Sequence, residues 1–465
     1  MLRSRLPVIL ACSFLFTCFH WGYGQNYIVQ DITLNGNHRT KEQVILRELT
    51  FQKGDTLNIE DIDKLITQSK QNLLNASLFN WVEILHTTDQ QNIYIYINVE
   101  EQWYWIPILH IRTAEGNFNT WWQSKPRNWH TLTFGIELTD YNFLGRKHQL
   151  SGTVHAGYDN LLDIKYTIPY INKKQTIGLQ MGAGFNISRK IITSIHDYQL
   201  HSFRSNKAIR RGGYAMIGII WRPKHHFSWE NNISYYIDTY NDTIFQEQND
   251  FWHSRCINYF RLYTKAKWDF RDYASYPLKG YYADIILEKN GLFLPFESVN
   301  TFYAQINGRY YTPIVPRFYF GAGISMFSTF NTKFPITIGK FINSDNIEIR
   351  GLYSYLIPAN HMVLFKTNFK IALLEPTFIR IRNWDPRIGH LSFACYWNIF
   401  FDVMYHASNN DYLILNRHEK LTPWQQVLGM GIDLVTSYDK VFRFETSYSF
   451  QIGKLFYGIS FKTAI

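Results

Sequence analysis

The residues best placed to do chemistry in this 465-residue chain are charged groups set on otherwise apolar, alternating segments. Between 260 and 272, Phe260, Leu262, Ala266, Trp268 and Phe270 fall on one face of an alternating strand. Successive strand side chains point to opposite faces, so Lys265, Lys267, Asp269 and Arg271 are gathered on the other. A guanidinium beside a carboxylate makes charge-assisted, often bidentate hydrogen bonds. That chemistry holds parts together; it does not turn over a substrate. Catalytic arrangements are harder to assemble. Gly182-Ala183-Gly184 and Gly321-Ala322-Gly323 lie in strand patterns without the following helix that a dinucleotide site needs. Neither G-x-S-x-G nor a P-loop occurs. Ser, His and Asp are present on many strands, but nothing sets three of them at triad spacing. His225-His226 reads as a solvated pair at a turn. Cys256 and Cys395 lie far apart, with no CxxC and no His at zinc spacing. No disulfide scaffold, metal site or cofactor is expected.

The elements that must position these charges are unusual in composition. Thirty-two Tyr, thirty-five Phe and fourteen Trp make 17% of the chain aromatic, yet mean hydropathy is only -0.24. Aromatic excess in a chain of such modest hydropathy suits a membrane barrel, whose lipid-facing residues alternate with polar lumen-facing ones. A helical membrane protein would show runs of about 18 or more apolar residues, and none follows the N-terminus. Residues 1–24 read as a secretory signal. Arg3 and Arg5 give a positive start, Leu6 to Phe19 an apolar core, and Gly22-Tyr23-Gly24 small residues at the cleavage positions. Loss of Arg3 and Arg5 takes the formal charge from +10 to +8, and the same cleavage removes Cys12 and Cys18. In an exported barrel the remaining positive balance fits a polar lumen or anionic lipid head groups, not nucleic acid.

Residues 25–102 form a unit of their own. Tyr27 to Leu34 alternates as a strand, and Thr40 to Leu49 reads as a short amphipathic helix. Ile59, Ile62, Leu65, Ile66, Leu73 and Leu74 recur at helical spacing, and Trp81 to Thr87 and Ile93 to Val99 alternate as two strands. That order is enough for one small α+β core. Residues 103–465 then read as about sixteen antiparallel strands. In one, Phe442, Phe444, Tyr448, Phe450 and Ile452 alternate with Arg443, Glu445, Ser447, Ser449 and Gln451. A soluble sandwich or lipocalin-like barrel would turn the apolar face inward; signal, length and aromatic load turn it outward here. The parity of the turns agrees with a barrel. Turns after even-numbered strands are short, as at 141–147 and 172–174, whereas the long stretches 113–130, 188–206, 240–256, 329–360 and 406–423 follow odd ones. The turn near 376–390 is longer than this rule allows.

With these elements in place the chain resembles the BamA/TamA superfamily of outer-membrane assembly factors and transporters, of the bacterial surface antigen type, in which periplasmic POTRA domains precede a sixteen-stranded barrel. In 25–102 the resemblance rests on Ile32, Leu34, Gly36-Asn37, Thr40, Arg47-Glu48-Leu49, Gly54-Asp55, Leu78-Phe79 and Val99-Glu100. In the barrel, Asp269-Phe270-Arg271-Asp272 followed by Pro277 and Gly280 resembles the family's D-x-R…P-x-x-G segment, and its plain structural role is a lumenal charge network closing a turn. Ile349-Arg350-Gly351-Leu352 resembles the V-R-G-F/Y signature of an inward-folding loop, with the aromatic displaced to Tyr353. Phe400-Phe401-Asp402-Val403-Met404 is similar to the family's F-x-D-x-G strand, with Met404 for the glycine. Phe393, Trp397, Phe401 and Val403 alternate outward, so Asp402 is expected inside. The resemblance implies that Arg350 and Asp402 pin the loop in the lumen.

The resemblance further implies a weak seam between the first and last strands, where Pro107 cannot donate a ladder hydrogen bond; a proline tolerated near a strand start is the alternative. It implies a bacterial outer-membrane location with the POTRA domain in the periplasm, no enzymatic activity, and insertion or translocation of client proteins. Expected partners are the lipid bilayer, unfolded or exported clients, and accessory periplasmic or lipoprotein subunits. A single POTRA domain points to a specialised member. A passive pore or transporter is the alternative, and an outer-membrane lipid hydrolase a more distant one.

Overall fold

A computed structural model describes residues 26–113, 129, 132–242, 255–297, 299–330, 341–343, 347–353, 355–380, 390–407, 413–414, 421–436 and 440–461. The expected signal segment lies outside the described residues. The N-terminal unit is built from β1 (Asn26–Asn35), α1 (Glu42–Glu48), β2 (Thr56–Asn58), α2 (Ile59–Asn75), β3 (Phe79–Asp89) and β4 (Asn92–Glu101). Its sheet order is β2-β1-β4-β3, with β1 parallel to β4. Alternation in β4 buries Ile93, Ile95, Ile97 and Val99 against Ile45 of α1 and Ile62 and Leu73 of α2. The helix expected over Thr40–Leu49 is shorter, Glu42–Glu48. Thr40 is drawn elsewhere: its backbone N–H donates to Glu101, and its hydroxyl lies 2.8 Å from that of Tyr104. Asn58 caps α2 by accepting from the Glu60 N–H.

The second unit is one antiparallel wall of sixteen strands. Its first five are β5 (Trp105–Thr113), β6 (Leu132–Phe143), β7 (His148–Gly157), β8 (Asn160–Ile168) and β9 (Ile177–Ser188). A short hairpin follows, β10 (Lys190–His196) and β11 (Gln199–Arg204). The wall resumes with β12 (Arg210–Lys224), β13 (Phe227–Tyr240), β14 (Cys256–Asp269), β15 (Gly280–Asn290), β16 (Thr301–Val315) and β17 (Phe318–Phe330). Two small pairs of residues, β18 (Phe341–Ile342) and β19 (Ile357–Pro358), precede the long hairpin of β20 (His361–Arg380) and β21 (His390–Ala407). After β22 (Leu413–Ile414) come β23 (Trp424–Thr436), β24 (Lys440–Ser449) and β25 (Lys454–Phe461). Leaving out β10, β11, β18, β19 and β22, neighbours in sequence are neighbours in the sheet, from β5 to β25.

This is a transmembrane-type barrel, with an apolar outer face and a polar inner one. Leu109, Ile217, Ile285, Phe365, Leu428 and Tyr457 are exposed on the outside, while Asp284, Asn307, Asn368, Asp402, Asp433 and Glu445 are buried. Of the prolines inside wall strands, Pro223, Pro313 and Pro376 each fall at a register shift, where a missing N–H costs no regular ladder bond, whereas Pro107 of β5 lies in regular register. All three shifts lie toward the end of the barrel that faces the N-terminal unit, here the proximal end. The excess length near 376–390 has a structural reason. Beyond the shifts, β20 and β21 stay paired out to Arg380 opposite His390, so the hairpin extends past the rim. Among the described residues β5 pairs only with β6, and β25 only with β24.

Candidate functional site

At the distal end the chain folds back into its own barrel. Arg350 is 3% exposed, and its Nε donates to Asp402 Oδ2 at 2.9 Å. Its Nη2 bonds Asp402 Oδ1 and also the Thr367 carbonyl at 3.0 Å, and its backbone N–H reaches the same carboxylate at 3.3 Å. The guanidinium lies 3.9 Å over the Phe400 ring. Asp402 is fully buried on β21, pointing inward as the outward alternation of its neighbours requires. Gly351 makes the approach possible. Its φ is +79°, and a Cβ there would stand 2.2 Å from Ser447 Oγ. The displaced aromatic is used: the Tyr353 hydroxyl donates to Glu445 of β24. Leu352 is buried with Ile349, Ile357, Met362 and Val427 in one apolar cluster.

That cluster includes Tyr198, from the long stretch 188–206 between two wall strands. The β10–β11 hairpin carries Tyr198 to the folded-in loop, where its carbonyl accepts from Leu356 N–H at 2.7 Å and its hydroxyl from Leu421 N–H at 2.6 Å. Among the described residues the hairpin thus holds the folded-in loop through Leu356, and the later distal segments through Leu421 and the β10–β22 pairing. Ile452 also packs against this cluster, and so does not share the outward face of Phe444 and Tyr448.

At the proximal end lies the segment from Asp269 to Gly280. Arg271 forms a bidentate pair with Asp269, 2.7 Å at each contact, and donates to the Ala274 carbonyl at 3.1 Å. Asp272 Oδ1 accepts from the N–H groups of Tyr273 and Leu278, which shapes the turn. Pro277 is buried. Gly280 has φ +104°, and a Cβ would meet the Phe270 carbonyl oxygen at 2.1 Å. The expected neighbour Lys265 pairs instead with Asp284 of β15, 3.4 Å away. The turn does more than close a hairpin. Tyr276 is inserted into the barrel, where its hydroxyl donates to Asp433 Oδ2 of β23 at 2.9 Å. Arg443 of β24 pairs bidentately with the same Asp433, at 2.7 and 3.0 Å.

The N-terminal unit is fastened to this end. Glu48, at the last turn of α1, is 1% exposed. Arg222 donates to both its oxygens at 2.9 and 3.0 Å, Lys147 Nζ lies at 3.3 Å and His225 Nδ1 at 3.6 Å. Burial acts to raise the Glu48 carboxyl, but Lys147, Arg222 and His225 outweigh it and hold it well below the usual carboxylate range. Arg47 donates to the Gln175 and Arg222 carbonyls and lies over the Tyr170 ring. Gln68 meets His226, and Asn75 grips the 272–274 turn. His225-His226 is therefore not a solvated pair. One histidine faces Glu48 and the other stacks on Phe270. A polar chamber of about 840 Å³ remains between α2 and the rim, lined among others by Gln68, Gln71, Lys267 and Lys279.

The N-terminal motif residues are structural. Gly36-Asn37 turns the chain after β1, with Asn37 donating to the Thr40 carbonyl, and Phe79 is buried in the core. Gly54-Asp55 forms the turn before β2, where the Asp55 carboxylate accepts from the Gln52 N–H. Pro107 is exposed on β5, opposite Leu138 of β6. Cys256 and Cys395 are both free, and no metal-binding cluster occurs among the described residues.

Comparison with known proteins agrees with this layout. Residues 27–102 match the POTRA family, described as a surface antigen variable number repeat, and residues 142–347 match the Omp85 superfamily domain. No curated protein matches the chain. Among solved structures, CdiB from Escherichia coli is 11% identical with a TM-score of 0.54, covering 94% of this chain and 74% of its own. CdiB from Acinetobacter baumannii gives 11% identity and a TM-score of 0.50 over the same shares. BamA from Haemophilus ducreyi lacking POTRA domains 1–3 gives 15%, a TM-score of 0.48, and 94% and 83% coverage. The chain is a member of the Omp85 superfamily, with one POTRA domain ahead of a sixteen-stranded outer-membrane barrel.

Proposed function

We propose that this protein inserts client proteins into, or moves them across, the outer membrane, receiving them at the POTRA domain and releasing them through a seam between β5 and β25. The observation that carries the reading is the pair of unpaired sheet ends. Among the described residues the outer edges of β5 and β25 have no ladder partner, and an open edge is a template for an incoming strand. Leu109 on β5 and Tyr457 on β25 are 78% and 81% exposed, more than most outward residues of the wall. Pro107 removes one donor from the β5 edge. The POTRA sheet has its own free edge: β3, eleven residues long, pairs only with β4 among the described residues and carries exposed Trp81 and Leu85. An extended client could add there by β-augmentation. In this reading the POTRA domain is periplasmic and accessory periplasmic or lipoprotein subunits are further partners.

Two experiments test the proposal. Cells depleted of the protein should lose particular outer-membrane or surface proteins; normal levels with altered solute uptake would instead support a passive pore. Joining Pro107→Cys to a cysteine on β25 should abolish that activity, and reduction should restore it. Full activity with the strands locked would remove the seam from the mechanism.

A further inference from the structure

The turn 270–279 touches more of the molecule than its length suggests. On one side it is held by the POTRA domain. Asn75, the last residue of α2, donates to the Asp272 carbonyl at 2.9 Å and accepts from the Ala274 N–H at 3.2 Å. These two bonds fix the backbone two residues before Tyr276. On the other side the Tyr276 side chain enters a cluster that Tyr319 of β17 borders and reaches the late strands. It packs at a tilt against Tyr396 of β21 with ring centroids 4.7 Å apart, receives Lys370 Nζ of β20 at 4.0 Å from its ring centroid, and packs with Ala372, Ala394 and Val441. Its hydroxyl ends on Asp433, already bound by Arg443 of β24.

Strand β24 is the sole ladder partner of β25 among the described residues, so it sets the position of one free end of the wall. Two residues along from Arg443, Glu445 takes the Tyr353 hydroxyl of the distal loop. Contacts from both mouths therefore meet on the inner face of this one strand.

We propose that the 270–279 turn is a strut that couples the position of the POTRA domain to strands β23–β25. Movement of α2 is carried through Asn75 to the turn backbone, through Tyr276 to Asp433, and through Arg443 to the strand beside the open end. A turn held by hydrogen bonds to its backbone on one side, and on the other through a packed side chain that ends in a hydrogen bond, transmits displacement because the interior around it is close-packed. The strut depends only on the contacts described, and stands whatever passes the seam.

Hydrogen exchange of the full-length protein in detergent micelles, read by mass spectrometry, tests it without any client. Asn75→Ala removes the POTRA grip, and Tyr276→Phe removes only the hydroxyl. Each should raise exchange in 440–449 and 454–461 by about fivefold, the effect of losing about one hydrogen bond, and leave 227–240 unchanged. Because the two sites act in series, the double variant should add little to either single one. Heat-modifiable migration on gels confirms that each variant has folded. Exchange that changes only within 270–279 in Asn75→Ala, or effects that simply add, would overturn the coupling. Failure of the client-handling reading would show in depleted cells and leave this result untouched.

Discussion

At the scale of single residues, the interior of this barrel is organised by guanidinium–carboxylate pairs. Arg350 with Asp402, Arg443 with Asp433 and Arg271 with Asp269 each use two guanidinium nitrogens. Removing one partner of a buried pair leaves an uncompensated charge. Asp402→Ala should therefore cost about 3–5 kcal/mol in urea unfolding of the micellar protein. Arg350→Lys should fall in between, since an ammonium cannot reproduce the planar two-point contact. Limited proteolysis within 341–360 should accelerate in both, and unaltered cleavage would mean the pair does not hold the loop. The inward aim of Asp402 was legible because its strand alternates cleanly. That of Tyr276 was not. It sits in a turn rich in ordinary turn residues, where periodicity carries no information about direction.

Among the elements, the sixteen wall strands were legible in number and in the parity of their turns, for each must alternate between lipid and lumen. The β10–β11 hairpin was not, because neither of its faces meets lipid and the rule that marks the wall does not apply. The short helix α1 hid its role for a related reason. In the sequence Glu48 shows only as part of the Arg47-Glu48-Leu49 motif, and only the fold brings Lys147, Arg222 and His225 around it. Docking of the POTRA domain should depend on that residue in a defined way. The docked carboxyl is depressed, whereas an undocked one titrates near about 4.3. Docking thus gains full stability above the undocked value and loses it as pH falls through the lower, docked value. A fluorescence-transfer pair across the interface should report docking at pH 5 and below it, with release only under stronger acid. Glu48→Gln should undock at neutral pH, and release of the native protein near pH 5 would contradict the assignment.

Taken as one molecule, the barrel carries its POTRA domain off centre. Side-chain hydrogen bonds from that domain reach Asp140 and Asn142, then Gln175, Arg222, His226, and the 272–274 turn. These positions follow one another around the first half of the wall, from β6 to the start of β15. A maleimide-linked polymer should consequently label a cysteine at Arg317, between β16 and β17, faster than one at Gln175. Equal rates would mean that the domain swings freely. The family membership could be read from motifs, but this lopsidedness could not, since it depends on which turns a rigid neighbour covers.

A mouth shaded over one half has a handed entrance, and its unshaded arc ends at β25. Under the proposed function, a client coming from the proximal side would arrive beside the late strands before it met the early ones. In the proposed seam the two lips are then chemically unlike: one, β5, contains Pro107 and leads into strands held by the docked domain, whereas the other, β25, is backed by β24 alone among the described residues. An arriving chain would encounter the second lip first, so the order in which the two edges are used would be written into where the small domain sits.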